Sequence, residues 1–195
     1  MTKVGVLALQ GDFREHQAML ESLGADVVRV RKTAELDEVD GLVIPGGEST
    51  VIDKLLRAFD MREPLIVRLE AKMPVLGSCA GMILLARDLI GAAPGQQTLG
   101  AIPMTVRRNA FGRQVDSAEV DIVWEPDGTS MSGTFIRAPW VESHDAQVQV
   151  LATAKGPDGQ RHPVAVQHGT AIATAFHPEI TADARVHERW LRQLS

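Results

Sequence analysis

The stretch Pro74–Leu85, PVLGSCAGMILL, decides how the rest of the chain is read. A short apolar run, PVLG, passes through the small residues Gly77-Ser78-Cys79-Ala80-Gly81 and continues as AGMILLA, a run with the composition of a buried helix. A buried strand leading straight through a glycine-framed turn into a helix is the repeating unit of a parallel α/β sheet. The turn has the form G-x-C-x-G, the thiol counterpart of a nucleophile elbow. Its glycines are expected because a side chain at either flank would strike the neighbouring strand or helix. The helix that starts at Ala80 would point free N–H groups and a positive dipole end at the sulfur, favouring the reactive thiolate. An ordinary buried cysteine beside a glycine turn is the plain alternative; the elbow context argues against it.

Working outward, the first half alternates strands and helices. KVGVLAL (3–9), ADVVRV (25–30), GLVI (41–44) and PVLG (74–77) read as strands apolar on both faces. Between them lie a helix capped by Asp12 and stopped at Gly24, a helix over STVIDKLLRAF, and another starting at Pro64 in PLIVRLEA. The second half is richer in short strand-like runs: AIPMTVRR, SAEVDIVW, GTFIRAPW, VQVLATA, PVAVQ and TAIATAF, several joined as hairpins, with GPDGQRH as a tight turn and ADARVHERWLRQL as a closing helix. The expected fold is therefore α/β: a three-layer, open, mainly parallel sheet with flanking helices and an antiparallel strand extension, in one domain over 1–195.

Composition narrows the function. The 195 residues carry 20 Lys+Arg against 25 Asp+Glu, a net charge of −5, with no basic run to meet a nucleic acid or an anionic membrane. One cysteine excludes an internal disulfide. The apolar stretch VGVLAL stops at Gln10-Gly11-Asp12, and nothing approaches the roughly 18 apolar residues of a membrane span. A cytoplasmic globular protein is the expectation, with no metal and no cofactor.

A thiol nucleophile needs a base and a group to orient it. Among six histidines, His177 stands at the end of the apolar strand ATAF, where Pro178 turns the chain, and Glu179 is close enough to reach back to its imidazole. Active sites of open α/β sheets lie at such carboxyl ends. His16, His144, His162, His168 and His187 sit in polar or helical contexts and read as surface or packing residues. LVIPGGEST is a strand, a glycine turn and a helix start, so its N–H groups face the same sheet edge as Cys79.

A cysteine elbow followed by a distant H-P-E resembles the class I glutamine amidotransferase family. LALQGDFREH, PGGEST, GSCAGMILLA, VRRNAFGRQVDS, FIRAPW and ATAFHPE, in that order, resemble more narrowly the glutaminase subunits of pyridoxal 5′-phosphate synthases. The resemblance implies a triad of Cys79, His177 and Glu179, an oxyanion site from the N–H groups of Gly47 and Ala80, and glutamine contacts at Gly47, Glu48, Ser49, Arg108, Ile136 and Arg137. Arg108 rather than Arg107 is the matching arginine because it directly precedes the Asn. The implied activity is hydrolysis of L-glutamine, with the ammonia passed to a separate synthase subunit in a hetero-oligomer that makes pyridoxal 5′-phosphate. Gln10, in the first motif, is the candidate for sensing that partner through the Gly46-Gly47 turn.

Three rival readings fit the residues less well. A cysteine-elbow stress protein would carry His directly after the cysteine, where this chain has Ala80. A non-catalytic module would lack one of the triad residues. A glutaminase component of another amidotransferase would share the triad but not VRRNAFGRQVDS.

Overall fold

The computed structural model describes residues 2–111, 118–181 and 183–194; the end of the VRRNAFGRQVDS motif, 112–117, lies outside them. The first half runs β1 (Lys3–Leu7), α1 (Phe13–Ser22), β2 (Asp26–Val30), α2 (Thr33–Leu36), β3 (Gly41–Ile44), α3 (Ser49–Ala58), α4 (Arg62–Glu70), β4 (Val75–Ser78) and α5 (Ala80–Leu85). The second half runs β5 (Ala86–Ile90), β6 (Ile102–Arg107), β7 (Ala118–Trp124), β8 (Thr129–Phe135), β9 (Trp140–His144), β10 (Gln149–Lys155), β11 (Arg161–His168), β12 (Ala171–Thr174), a 3-10 turn (Pro178–Ile180) and α6 (Arg185–Leu191).

Nine strands form one sheet in the order β2-β1-β3-β4-β12-β11-β10-β7-β8. The first five are mutually parallel, and β11, β10, β7 and β8 continue the sheet as antiparallel neighbours. The parallel strands β3 and β4 are buried along their whole length, as strands covered on both faces must be. Side chains on a strand alternate between faces, and β4 shows what covers each. A Cβ on Gly77 would meet Gly81 and Leu85 of α5, whereas the next residue, Ser78, hydrogen-bonds His16 of α1. Helices therefore pack on both sides of the sheet. α6 joins α1 on its side, where His187 meets His16.

Several local expectations need correction. A separate three-stranded sheet, β5-β6-β9, follows α5; its first strand starts at Ala86, so the helix read over AGMILLA stops one residue short. GTFIRAPW is two strands, not one: Arg137 adopts φ +45°, β8 ends at Phe135 and β9 starts at Trp140. α4 begins at Arg62, two residues ahead of Pro64, because a first-turn residue needs no N–H partner within the helix. Gly24 does end α1: Ala25 N–H bonds Leu20 O and Gly24 N–H bonds Glu21 O, with Gly24 at φ +83°. Among the described residues, no helix is long and apolar enough to cross a membrane.

Candidate active site

Parallel strands bring their carboxyl ends to one edge, and the segments leaving β1, β3, β4 and β12 meet there. Cys79 sits between β4 and α5 at φ +48°, ψ −98°, a left-handed conformation that costs a non-glycine residue roughly 1–3 kcal/mol. Its N–H is tied to Thr174 O at 2.7 Å. The flanking glycines leave no alternative: a Cβ on Gly77 would lie 2.7 Å from the Gly81 backbone, and one on Gly81 would run into the Ile44 carbonyl. The thiol is 7% exposed, with Sγ 4.0 Å from Ile136 O.

His177 leaves β12 and is fixed from two sides. Its N–H donates to Thr134 O of β8 at 3.2 Å, and its Nδ1 lies 2.7 Å from Glu179 Oε1. With Nδ1–H committed to the carboxylate, Nε2 is left for the sulfur. Burial alone would depress the imidazole, but pairing with the Cys79 sulfur and with Glu179 outweighs it and raises His177 to about 10. Glu179 is buried in the 3-10 turn. Burial pushes its carboxyl up, and the His177 imidazolium opposes that shift. Gly46 is small because His177 stands where its Cβ would be.

Asp12 is expected to cap α1 with its side chain. It occupies the N-cap position but makes no side-chain cap bond; its Oδ2 lies 3.5 Å from His177 Nδ1 instead. Ligand atoms of Asp12, His177 and Glu179 fall within 4.8 Å of one another, a spacing able to hold a cation, though Nδ1 is already engaged by Glu179.

The PGGEST turn lies against the first motif. Gly47 is exposed at φ +146°, a Cβ there would sit 2.6 Å from Gln10 Oε1, and the Glu48 N–H donates to that same oxygen at 2.8 Å. Ala80 N–H, as the first of α5, has no intrahelical partner. Ser49 is the first residue of α3 and is buried; its Oγ accepts a bond from Gln96 Nε2 at 3.0 Å, so it does not cap the helix.

The charged residues expected to hold an amino acid converge on Glu48. Arg108 Nη2 lies 3.4 Å from Glu48 Oε1, Arg137 Nη2 3.9 Å from Oε2, and Arg108 Nε is buried with no hydrogen-bond partner among the described residues. Ile136 is exposed, its carbonyl facing the thiol. Arg107 lies elsewhere, forked onto Glu142 at 2.8 and 3.0 Å.

Of the histidines that read as surface or packing residues, two are packing residues with a buried network of their own. His16 Nε2 lies 2.8 Å from Ser78 Oγ and 3.3 Å from Glu179 Oε2, and its Nδ1 lies 2.9 Å from His187 Nε2. A signal was present: His16 falls between Phe13 and Leu20 at helical spacing, and His187 stands three residues before Trp190, each on an inward face.

The chain from residue 6 to 195 matches the model of the SNO glutamine amidotransferase family. It is 58% identical over 185 residues to the pyridoxal 5′-phosphate synthase subunit PdxT of Mycobacteroides abscessus, spanning 95% of this chain and 93% of the relative. It is 59% identical over 186 residues to the protein of the same name from Acidothermus cellulolyticus, spanning 95% and 90%. A crystal structure described as a glutamine amidotransferase superposes with a TM-score of 0.87 at 44% identity, covering 98% of each chain. This chain belongs to the SNO glutamine amidotransferase family.

Proposed function

We propose that this chain, acting as one glutaminase domain over 1–195, hydrolyses L-glutamine to L-glutamate and ammonia. In this reading it is the glutaminase subunit of a pyridoxal 5′-phosphate synthase and hands the ammonia to a synthase subunit. The observation that carries the chemistry is a buried thiol on a strained elbow, paired with an imidazole whose far nitrogen is held 2.7 Å from a buried carboxylate. The high identity to proteins named as subunits of that synthase supports the pathway.

In the proposed reaction Cys79 attacks the side-chain amide carbon of glutamine. The N–H groups of Gly47 and Ala80 receive the oxyanion. His177, held by Glu179, gives its proton to the nitrogen as the C–N bond breaks and ammonia leaves. His177 then takes a proton from water, which opens the glutamyl thioester and returns the thiol. Arg108 and Arg137 are assigned to the α-carboxylate and Glu48 to the α-ammonium group, charges matched to a zwitterion. Gln10, through its bond to the Glu48 N–H, links the oxyanion turn to the first motif and is the proposed route by which a docked synthase subunit switches the site on.

Ammonia release from glutamine by the purified chain, with and without the synthase subunit, tests both claims. The expected result is slow release alone and an increase of about 100-fold or more with the partner, the scale of one restored oxyanion donor. No release in either case sinks the glutaminase reading, and full release without the partner sinks the switch.

A further inference from the structure

Behind the triad, on the α1 side of the sheet, lie two buried imidazoles that the proposed reaction does not use. His16 and His187 are both fully inaccessible. Burial, then the neighbouring His187 and His177, hold His16 well below its ordinary value, and burial lowers His187 to about 4. Both rings are therefore neutral near pH 7. Each carries one N–H, and the direction of the chain follows from where those protons sit.

The two directions differ in what they offer the Glu179 carboxylate. Glu179 Oε2 is buried and makes no aligned hydrogen bond among the described residues, and His16 Nε2 lies 3.3 Å from it. A proton on His16 Nε2 meets Ser78 Oγ at 2.8 Å and leans toward that carboxylate oxygen; a bare Nε2 would face it with a lone pair. His16 Nδ1 must then accept, so His187 Nε2 donates across 2.9 Å. That leaves His187 Nδ1 bare, and it is the ring nitrogen without a hydrogen-bond partner among the described residues. The opposite direction would bury an unpaired N–H at that nitrogen and turn a lone pair of His16 toward Glu179 Oε2, so the carboxylate decides between them.

We propose that His16 is a positioning residue: its Nε2–H, set by donation from His187, is shared between Ser78 and Glu179 and holds the carboxylate that orients His177. The inference rests on the glutaminase reading for its effect on turnover, but not for the placement of the proton. A neutral donor suits the position. It steadies a desolvated carboxylate without adding a positive charge that would compete with the His177 imidazolium. It also ties together the strand that ends at the thiol and the turn that carries Glu179.

Two measurements test it, one independent of activity. In the full chain labelled with 15N-histidine, with signals assigned from His16→Gln and His187→Gln, His16 should be neutral at pH 7, with a proton on Nε2 and a bare Nδ1. A bare Nε2 or an imidazolium overturns the proposal even if glutaminase activity is absent. In turnover with the synthase subunit, His16→Leu should lower kcat about 10-fold or more, with KM for glutamine within about 2-fold, the scale of losing an outer partner of a functional side chain. His16→Gln, which keeps a donor near the same place, should recover most of the loss. Unchanged kcat in His16→Leu, or equal losses in both variants, overturns it; a wild type that releases no ammonia instead counts against the glutaminase reading.

Discussion

Arg107 and Arg108 are adjacent in the chain, yet their guanidinium groups part company. Arg107 forks onto Glu142 of β9, while Arg108 turns in to Glu48 and the Gly91 carbonyl. Arg107 is the last residue of β6, and side chains on a strand alternate in direction. Of these two neighbours, only Arg108 can meet a substrate carboxylate in the proposed site. Arg108→Ala should raise KM for glutamine about 10-fold or more, on the scale of a charge-assisted hydrogen bond, and Arg107→Ala should change it little. A larger KM effect from Arg107→Ala would reverse the assignment.

The nucleophile is tested most simply. Cys79→Ala should abolish glutamine hydrolysis and leave the fold intact, as judged by circular dichroism. A thiol-directed glutamine analogue should label the wild type once, because the chain holds a single cysteine. Continued turnover in the Ala variant would remove Cys79 from the chemistry.

Base and orienter should differ in degree. His177→Asn is expected to lose nearly all turnover, since it removes the proton carrier. Glu179→Gln keeps the shape but not the charge facing Nδ1, and should cost about 10-fold or more in kcat by analogy with other triads. Steady-state rates near wild type for either would point to another base.

The raised value of His177 makes a prediction about stability as well. A base whose native pKa is about 10, against 6.5 unfolded, stabilises the fold fully below pH 6.5. That contribution is lost as pH rises from 6.5 through 10. Denaturant midpoints of the wild type and His177→Asn should therefore differ most near pH 6 and converge toward pH 10. Divergence with rising pH would contradict the thiol–imidazole–carboxylate pairing.

The glycines of the elbow should be intolerant for a backbone reason. Gly81→Ala drives a Cβ into the Ile44 carbonyl, which belongs to the neighbouring strand and cannot swing aside. A cost of about 1–3 kcal/mol is expected, with a melting temperature several degrees lower and turnover reduced as Cys79 shifts. An unchanged melting temperature would mean the elbow has more room than its geometry allows.

Much of this was legible in the residues. Continuous apolar runs between helical segments announce buried parallel strands, and a lone cysteine framed by glycines announces the turn. What stayed hidden depends on tertiary context. Nothing in the letters of FIRAPW marks Arg137 as the residue that takes φ +45° and splits the run, because an arginine, unlike glycine or asparagine, carries no sign of a left-handed backbone. ARDLI hides as a strand behind the apolar helix before it. For His16 and His187 the letters left surface and packing roles open, because their burial depends on a contact between residues far apart in the chain. Asp12 looked like a cap because the type favours it, while the pull of His177 across the sheet edge is invisible locally.

The place of β12 has a consequence for how the protein comes into being. It is the last strand in the chain, yet it slots into the middle of the sheet, between β4 and β11. A nascent chain leaving the ribosome from its N-terminus at about 5–20 residues per second exposes the elbow long before its base exists. Until β12 arrives, the Cys79 N–H has no Thr174 carbonyl to bond, and one flank of β4 is an open edge. Such non-local pairing slows folding. In the proposed reaction the thiol therefore lacks its base through most of synthesis and gains it only when the final strand closes the sheet, so a prematurely terminated chain would carry the cysteine without that chemistry.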